Sequence, residues 1–284
     1  MFDNRKKQKM TNVQESSVVQ KLSLDLRRAE TLRNPISPIT DAYPALTLED
    51  AYEVQKLNIA ARVEAGERVV GHKIGLTAKA MQEMFGVDEP DYGHLLNTMM
   101  HDAETPLDLS SLISPQIEVE PAFVLSSDLK GPGVTVEDVM NATAYVTTCF
   151  EIIDSRIVNW RIRLQDTVAD NGSSALVVLG DEKVDPRAVP LDNLQTTLEI
   201  DGEIVETGNT KAILGHPANG VAWLANALAP FGGRLAAGDI VLPGTCTRSF
   251  KLAGSSSARG FIDHLGAVSI TVTGEPYEKS KMTA

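Results

Sequence analysis

The segment Ile117-Glu118-Val119-Glu120-Pro121-Ala122-Phe123-Val124-Leu125 sets two carboxylates two residues apart inside an apolar run. In an extended strand, side chains two apart share a face, so Glu118 and Glu120 are expected to point the same way. Two like charges that close repel, and burying them is unfavourable unless a cation compensates. A divalent metal meets that need and suggests an enzyme acting on small oxygenated acids. Spacing alone favours a plainer reading, because alternating charged and apolar residues also describe the solvent face of an edge strand. Pro121 adds a constraint: it donates nothing to a sheet ladder, so the strand is expected to be an edge or bulged there.

Further along, Cys149-Phe150-Glu151-Ile152-Ile153-Asp154-Ser155-Arg156 carries more acids among apolar residues. If this is a strand, Glu151 and Asp154 face opposite sides and at most one joins the first pair. Three carboxylates with no His or Cys beside them suit a hard, oxygen-seeking cation, Mg²⁺ or Mn²⁺, rather than zinc. Gly71-His72-Lys73-Ile74-Gly75-Leu76-Thr77 is a glycine-bounded strand end. Beside a metal-bound anion, Lys73 would act as acid, base or anchor; taken alone, it reads as a surface lysine. The segment has the spacing of neither glycine-rich phosphate fingerprint. Asp91 is a proton-transfer candidate or a turn former. The polar stretch Asp166–Ser174 would present amide and hydroxyl groups to an anion or serve as a connection. His216, ahead of Pro217, is expected at a helix entry, and Cys149 and Cys246 as buried apolar residues.

The bulk properties set limits. In 284 residues, a net charge of -12 argues against nucleic acid or an anionic membrane as partner. No apolar run approaches a membrane span. The opening MFDNRKKQKM is polar and basic, so no secretory signal is expected, and two cysteines are too few for a disulfide framework. A reducing cytoplasm fits.

The elements that must position these residues follow from pattern. Residues 1–15 are expected as a disordered tail and 16–66 as a helical region. Within that region Thr47-Leu48-Glu49-Asp50 reads as a capping box, opening a helix through Ala51, Val54, Leu57 and Ala61 that stops at Gly66. A strand is expected over 69–74 and a short helix over 78–85. From Ile113 strands dominate, interrupted by a second capping box at Thr135–Asp138 and a helix over 217–228. Asp201-Gly202 marks a hairpin, 238–242 and 267–272 read as strands, and 254–260 as a small-residue loop. Helices at the front and strands after them predict an α+β fold with a mixed, rolled or barrel-like sheet.

The ordered set Gly71–Thr77, Glu89–Gly93, Glu118–Glu120, Glu151–Arg156, Asp166–Asn171 and Leu214–Pro217 resembles the 2-keto-4-pentenoate hydratase and 4-oxalocrotonate decarboxylase family of the fumarylacetoacetase superfamily, from about Leu46 to Val272. The resemblance implies a mixed β-roll over 67–284 behind the helical region. It implies Mg²⁺ or Mn²⁺ on Glu118, Glu120 and Glu151, and so reverses the preference that spacing gave the Glu pair. It assigns Lys73 and Asp91 to catalysis and Asn171 and Ser173 to the substrate, with Leu76 a further substrate-binding candidate; the closing segment Pro243–Arg248 departs from the simplest members, and there Arg248 faces a second carboxylate or solvent. The implied substrate is a 2-hydroxy-2,4-dienoate that gains water to give a 4-hydroxy-2-oxo acid, in meta-cleavage breakdown of aromatics. The likeness of Val158–Ile162 to hydratase members leans that way. A 4-oxalocrotonate-type decarboxylase, or a non-catalytic subunit complexed with a decarboxylase or aldolase, stays open, as does a homo-oligomer. Hydrolytic carbon–carbon cleavage is disfavoured, because His72, His94 and His216 show no partnered site.

Overall fold

The computed structural model describes residues 2–79, 82, 83 and 86–277, with side chains from Ser17 onward. The tail expected over 1–15 therefore lies outside the described side chains, and residues 80, 81, 84 and 85 of the short helix expected over 78–85 are outside the described residues.

Three helices come first, Phe2–Leu32, Ile39–Ala42 and Leu48–Glu64. The third opens on the expected capping box: the Thr47 hydroxyl accepts from Asp50 N–H at 3.1 Å, and the Asp50 carboxylate accepts from Thr47 N–H at 3.1 Å. Its buried stripe differs from the expected one. Ala51, Val54, Gln55 and Ile59 turn inward, while Leu57 is exposed. Ala51 and Val54 are buried as expected, and beyond them Gln55 and Ile59 take the inner face in place of Leu57 and Ala61. Val19, Leu22 and Leu26 pack on this stripe together with Ile157, Val168 and Ala169. No helix among the described residues is long and apolar enough to cross a membrane.

The strands are β1 Val69–Gly75, β2 Asp91–Leu96, β3 Leu107–Asp108, β4 Gln116–Leu125, β5 Thr143–Ile153 and β6 Ser174–Leu179, then β7 Gln195–Ile200, β8 Glu203–Asn209, β9 Ile240–Leu242, β10 Phe250–Lys251, β11 Ser257–Ile262 and β12 Gly266–Thr273. One sheet runs β2-β1-β9-β4-β5-β6, with β10 also on β4; the other runs β3-β12-β11-β7-β8. Parallel pairs (β1–β9, β12–β3) sit among antiparallel ones, as expected for a mixed, curled sheet in an α+β chain. Val119, Phe123 and Phe150 share one core with Leu198, Ala258, Ile262 and Ile270 of the second sheet. Period-two alternation then puts Glu118, Glu120 and Glu151 on the opposite face.

Two local expectations hold and one fails. Helix Val136–Ala142 starts on the capping box at Thr135, and the β7–β8 turn has φ 51° at Asp201 and 83° at Gly202, both positive as its type requires. The small-residue loop expected over 254–260 is a strand from Ser257. The Asp201 carboxylate accepts from Ser256 N–H at 2.9 Å and Ser257 N–H at 2.8 Å, and Ala258, Gly260 and Ile262 alternate inward. Small residues are used there for close packing: a Cβ on Gly260 would lie 2.7 Å from the Phe150 ring.

Pro121 sits in the interior strand β4. Val119 C=O accepts from Cys246 N–H and Leu125 N–H donates to Asp239 C=O, so the odd residues of β4 turn their amides away from β5. On that side β10 pairs only Gln116 and Ile117, and β9 only Phe123 and Val124. Pro121 falls in the gap, where no ladder bond is asked of it. Its strand is an edge locally, and the only register shift along the β4–β5 pairing lies at Val124/Leu125.

His72 and His94 face each other across β1 and β2, with ring centroids 4.9 Å apart. Burial, then His94, pushes His72 down to about 3; burial, then Lys56, pushes His94 down to about 4. Below the ordinary imidazole value of 6.5 the unfolded chain takes up protons that the folded chain refuses. Their contribution is therefore complete above pH 6.5 and is lost as pH falls toward 4, by up to about 1.4 kcal/mol per pH unit for each ring. Urea unfolding at pH 7 and pH 5 is expected to show a smaller drop for His72→Phe than for the natural chain. Equal drops would show that His72 does not couple to stability.

Candidate active site

The long β4–β5 pairing brings the acids together. Glu118 is the register partner of Glu151, and Glu120 of Cys149. One oxygen from each of Glu118, Glu120 and Glu151 lies within 4.8 Å of the others. Glu120 is 1% exposed and Glu151 fully buried. The Glu120 carboxylate accepts from Gly244 N–H at 2.9 Å, whereas neither oxygen of Glu151 accepts a hydrogen bond. Burial, and next the Glu151 charge, raises Glu118 to about 7; burial, Glu151 and Glu118 hold Glu120 well above the usual carboxylate range. A mutually repelling, all-oxygen cluster in which the Glu151 oxygens accept no hydrogen bond fits a hard divalent cation. Asp154 takes no part. Its carboxylate accepts from Ile113 N–H at 2.8 Å and Ser114 N–H at 2.7 Å, fixing the chain that enters β4.

Lys73 comes from β1 on the face opposite His72. Its Nζ donates to Gly172 C=O at 3.1 Å and lies 3.4 Å from Glu151 Oε1. Burial works against its charge, but Glu151, Asp91, Glu118 and Glu120 outweigh that and hold the ammonium above its usual range. Asp91 opens β2 opposite Gly75. A Cβ at Gly75 would stand 2.2 Å from Asp91 Oδ1, so only glycine lets the carboxyl fold over β1. Burial raises Asp91, with Lys73 opposing.

The turn beneath Lys73 is built in three layers. Asn171, Gly172 and Ser173 all have positive φ, 57°, 63° and 54°. Asn171 clamps the His94 backbone, accepting from His94 N–H at 2.7 Å and donating to His94 C=O at 2.9 Å. Gln55, from the third helix, meets the His94 ring at 3.0 Å and donates to Tyr92 C=O at 3.0 Å and Val168 C=O at 2.8 Å. On the other side, the buried Arg156 guanidinium pairs with the Asp170 carboxylate and donates to the carbonyls of Asp154, Asp170 and Ser174.

These groups border a cavity of about 190 Å³. Lys73, Leu76, Asp91, Glu118, Glu120 and Ser173 line it. Glu151 lies just behind, and Asn171 supports the wall through backbone contacts. Arg248 stands outside, on a wider open groove that shares Glu118, Thr245 and Ser249 with the cavity. Its side chain is 86% exposed and pairs with Glu206 at 2.8 Å. His216 caps helix Pro217–Leu228, its Nδ1 accepting from Ala218 N–H at 3.0 Å. Sequence reasoning missed Gln116, Trp160 and Ile162, which also line the cavity. Gln116 had a signal, because it continues the alternation of Glu118 and Glu120; Trp160 and Ile162 lay in the Val158–Ile162 segment that resembles hydratase members, but nothing in their spacing placed them at the cavity.

The model of the fumarylacetoacetate (FAA) hydrolase C-terminal family matches residues 83–275. A 2-hydroxyhexa-2,4-dienoate hydratase of Comamonas testosteroni is 42% identical over 256 residues, covering 89% of this chain and 96% of the relative. A 2-hydroxypent-2,4-dienoate hydratase of Pseudomonas putida is 45% identical over 77% of this chain and 99% of its own. Among solved structures, a 4-oxalocrotonate decarboxylase from Pseudomonas putida G7, complexed with magnesium and adipate, superposes with a TM-score of 0.86 at 36% identity, over 91% of this chain and 98% of that one. The chain belongs to the fumarylacetoacetate hydrolase family, in its 2-keto-4-pentenoate hydratase and 4-oxalocrotonate decarboxylase branch.

Proposed function

We propose that the chain is a metal-dependent hydratase that adds water to a 2-hydroxy-2,4-dienoate, giving a 4-hydroxy-2-oxo acid in meta-cleavage catabolism of aromatic compounds. The observation that carries this is the convergence of Glu118, Glu120 and Glu151, the last two buried and Glu151 with no hydrogen bond to either oxygen, beside a charged Lys73. Hydratases at 42% and 45% identity support it. The trio would hold Mg²⁺ or Mn²⁺, which when bound supplies Lewis-acid polarisation to the carboxylate and 2-oxo oxygens of the substrate.

The chain's own residues account for the proton movements. Ketonisation removes the proton of the 2-hydroxyl and adds one at C5; hydration then places hydroxyl at C4 and a proton at C3. Lys73 is protonated at neutral pH and aimed into the cavity, so its Nζ–H is the donor toward substrate carbon or oxygen. Asp91, less acidic than an ordinary aspartate and adjacent to Lys73, receives the proton that water gives up. Leu76 and Ser173 border the substrate, and Asn171 holds the turn that positions Lys73. The helical region 16–66 and the β-roll 67–284 work as one unit, in a cytoplasmic homo-oligomer.

A decarboxylase of an oxalocrotonate-type diacid is the second reading, favoured by the structural superposition. An ultraviolet assay on 2-hydroxypenta-2,4-dienoate and its carboxylated analogue, with product masses, separates the two: gain of water supports the hydratase, and loss of CO₂ the decarboxylase. A thermal melt tests the metal itself. Saturating Mg²⁺ or Mn²⁺ is expected to raise Tm by several degrees, since a hundredfold excess over Kd stabilises by about 2.7 kcal/mol. An unchanged Tm would favour a non-catalytic subunit.

A further inference from the structure

We propose that Trp160 reads the hydrocarbon end of the substrate and, with Ile153 and Ile162, selects a monocarboxylic dienoate over its dicarboxylic counterpart. This rests on the hydratase reading of the same site and adds to it the residue that sets substrate class.

The cavity is charged at one end only. Its floor follows the β4–β5 register from Glu120, to the Glu118–Glu151 pair, to the Gln116–Ile153 pair. Each two-residue step is about 7 Å. Two residues further on, Ser114 C=O accepts the Trp160 indole N–H at 2.9 Å. The charged lining groups Lys73, Asp91, Glu118 and Glu120 gather at the first end; Ile153, Trp160 and Ile162 form the other. Gln116, whose side-chain oxygen accepts from the Ser249 hydroxyl at 2.6 Å, is polar there but uncharged. A substrate whose carboxylate and 2-oxo oxygens were bound through a cation held by the glutamates would extend its carbon chain toward the indole.

The indole is held in place by its surroundings. Asn159 and Trp160 are consecutive non-glycine residues with φ 56° and 54°, a conformation that persists only where neighbours enforce it. Ile162 N–H donates to Trp160 C=O at 2.9 Å, and Ser114, the indole's anchor, is itself fixed by Asp154. A second carboxylate arriving at this wall would be desolvated with no cation among the residues that line it, Lys251, the register partner of Gln116, being exposed and outside the cavity. Arg248 lies beyond the cavity in its pair with Glu206.

The test compares kcat/KM for 2-hydroxypenta-2,4-dienoate, 2-hydroxyhexa-2,4-dienoate and the diacid 2-hydroxyhexa-2,4-dienedioate in the natural chain, Trp160→Ala, Trp160→Phe and Arg248→Ala. The natural chain is expected to favour the monoacids by roughly a hundredfold, and Trp160→Ala to lose about tenfold on them, mainly through KM, with Trp160→Phe near the natural value. 2-Oxopentanoate, an unreactive monoacid, is expected to quench tryptophan fluorescence in the natural chain but not in Trp160→Phe, where Trp223 is the remaining tryptophan; 2-oxohexanedioate is expected to quench at no comparable concentration. Equal use of diacid and monoacids overturns the proposal, as does a diacid preference that vanishes in Arg248→Ala, or a Trp160→Ala variant unchanged on all three. Should Trp160→Ala fail to fold, Trp160→Phe and the quench comparison decide. If no dienoate reacts at all, the hydratase reading fails, and the quench comparison alone still decides for or against Trp160.

Discussion

Glu120→Gln is expected to abolish turnover, by on the order of a thousandfold or more in kcat at saturating Mg²⁺, with the fold intact. Gln keeps the volume of Glu, and its carbonyl oxygen can still accept from Gly244 N–H. What disappears is the carboxylate that would complete the trio around a metal. Without metal, Gln resembles the protonated carboxyl that burial, Glu151 and Glu118 favour at Glu120, so the metal-free variant is expected to melt no lower than the natural chain. With metal, the rise in Tm is expected to shrink or vanish. Paired melts and saturating-metal kinetics check both halves. Undiminished kcat in this variant would remove the metal centre from the reaction.

Lys73→Ala is expected to lower kcat by roughly a hundred- to ten-thousandfold, with a smaller change in KM. This variant also strips the cation from beside Glu151, whose oxygens accept no hydrogen bond. Its metal-free form should therefore lose stability, and added metal should restore more of it than in the natural chain. Lys73→Arg is not expected to rescue activity, because a planar guanidinium cannot replace a compact ammonium held between Gly172 C=O and Glu151. A change confined to KM would make Lys73 an anchor for substrate and not a proton carrier.

Local chemistry was legible wherever it is written in a few neighbouring residues. The Thr47 and Thr135 capping boxes, the Asp201-Gly202 turn, and the shared face of Glu118 and Glu120 each follow from short-range geometry. Glu151 is different. Only the pairing of two long antiparallel strands, 33 residues apart at Glu118 and Glu151, puts it beside the other two, and here the family resemblance supplied what spacing did not. Gln55 was hidden for the opposite reason. It lies on a stripe that hydrophobic periodicity assigns to apolar side chains, and its worth depends on carbonyls brought in by β2 and helix Leu164–Ala169. The 254–260 segment misled because serine and glycine serve tight sheet packing as readily as they serve loops.

The placement of Gln55 changes what the leading helices are for. One buried amide joins them to the backbone that Asn171 grips, and through Gly172 to the ammonium of Lys73. The helical front is part of the mounting of Lys73. A chimera that replaced this front with a foreign helical pair would keep the acid trio, which belongs to β4 and β5 alone, yet would inherit correct lysine placement only if an amide returned to the same spot. On the proposed function, metal affinity and turnover would then be separable, anchored in different stretches of one chain.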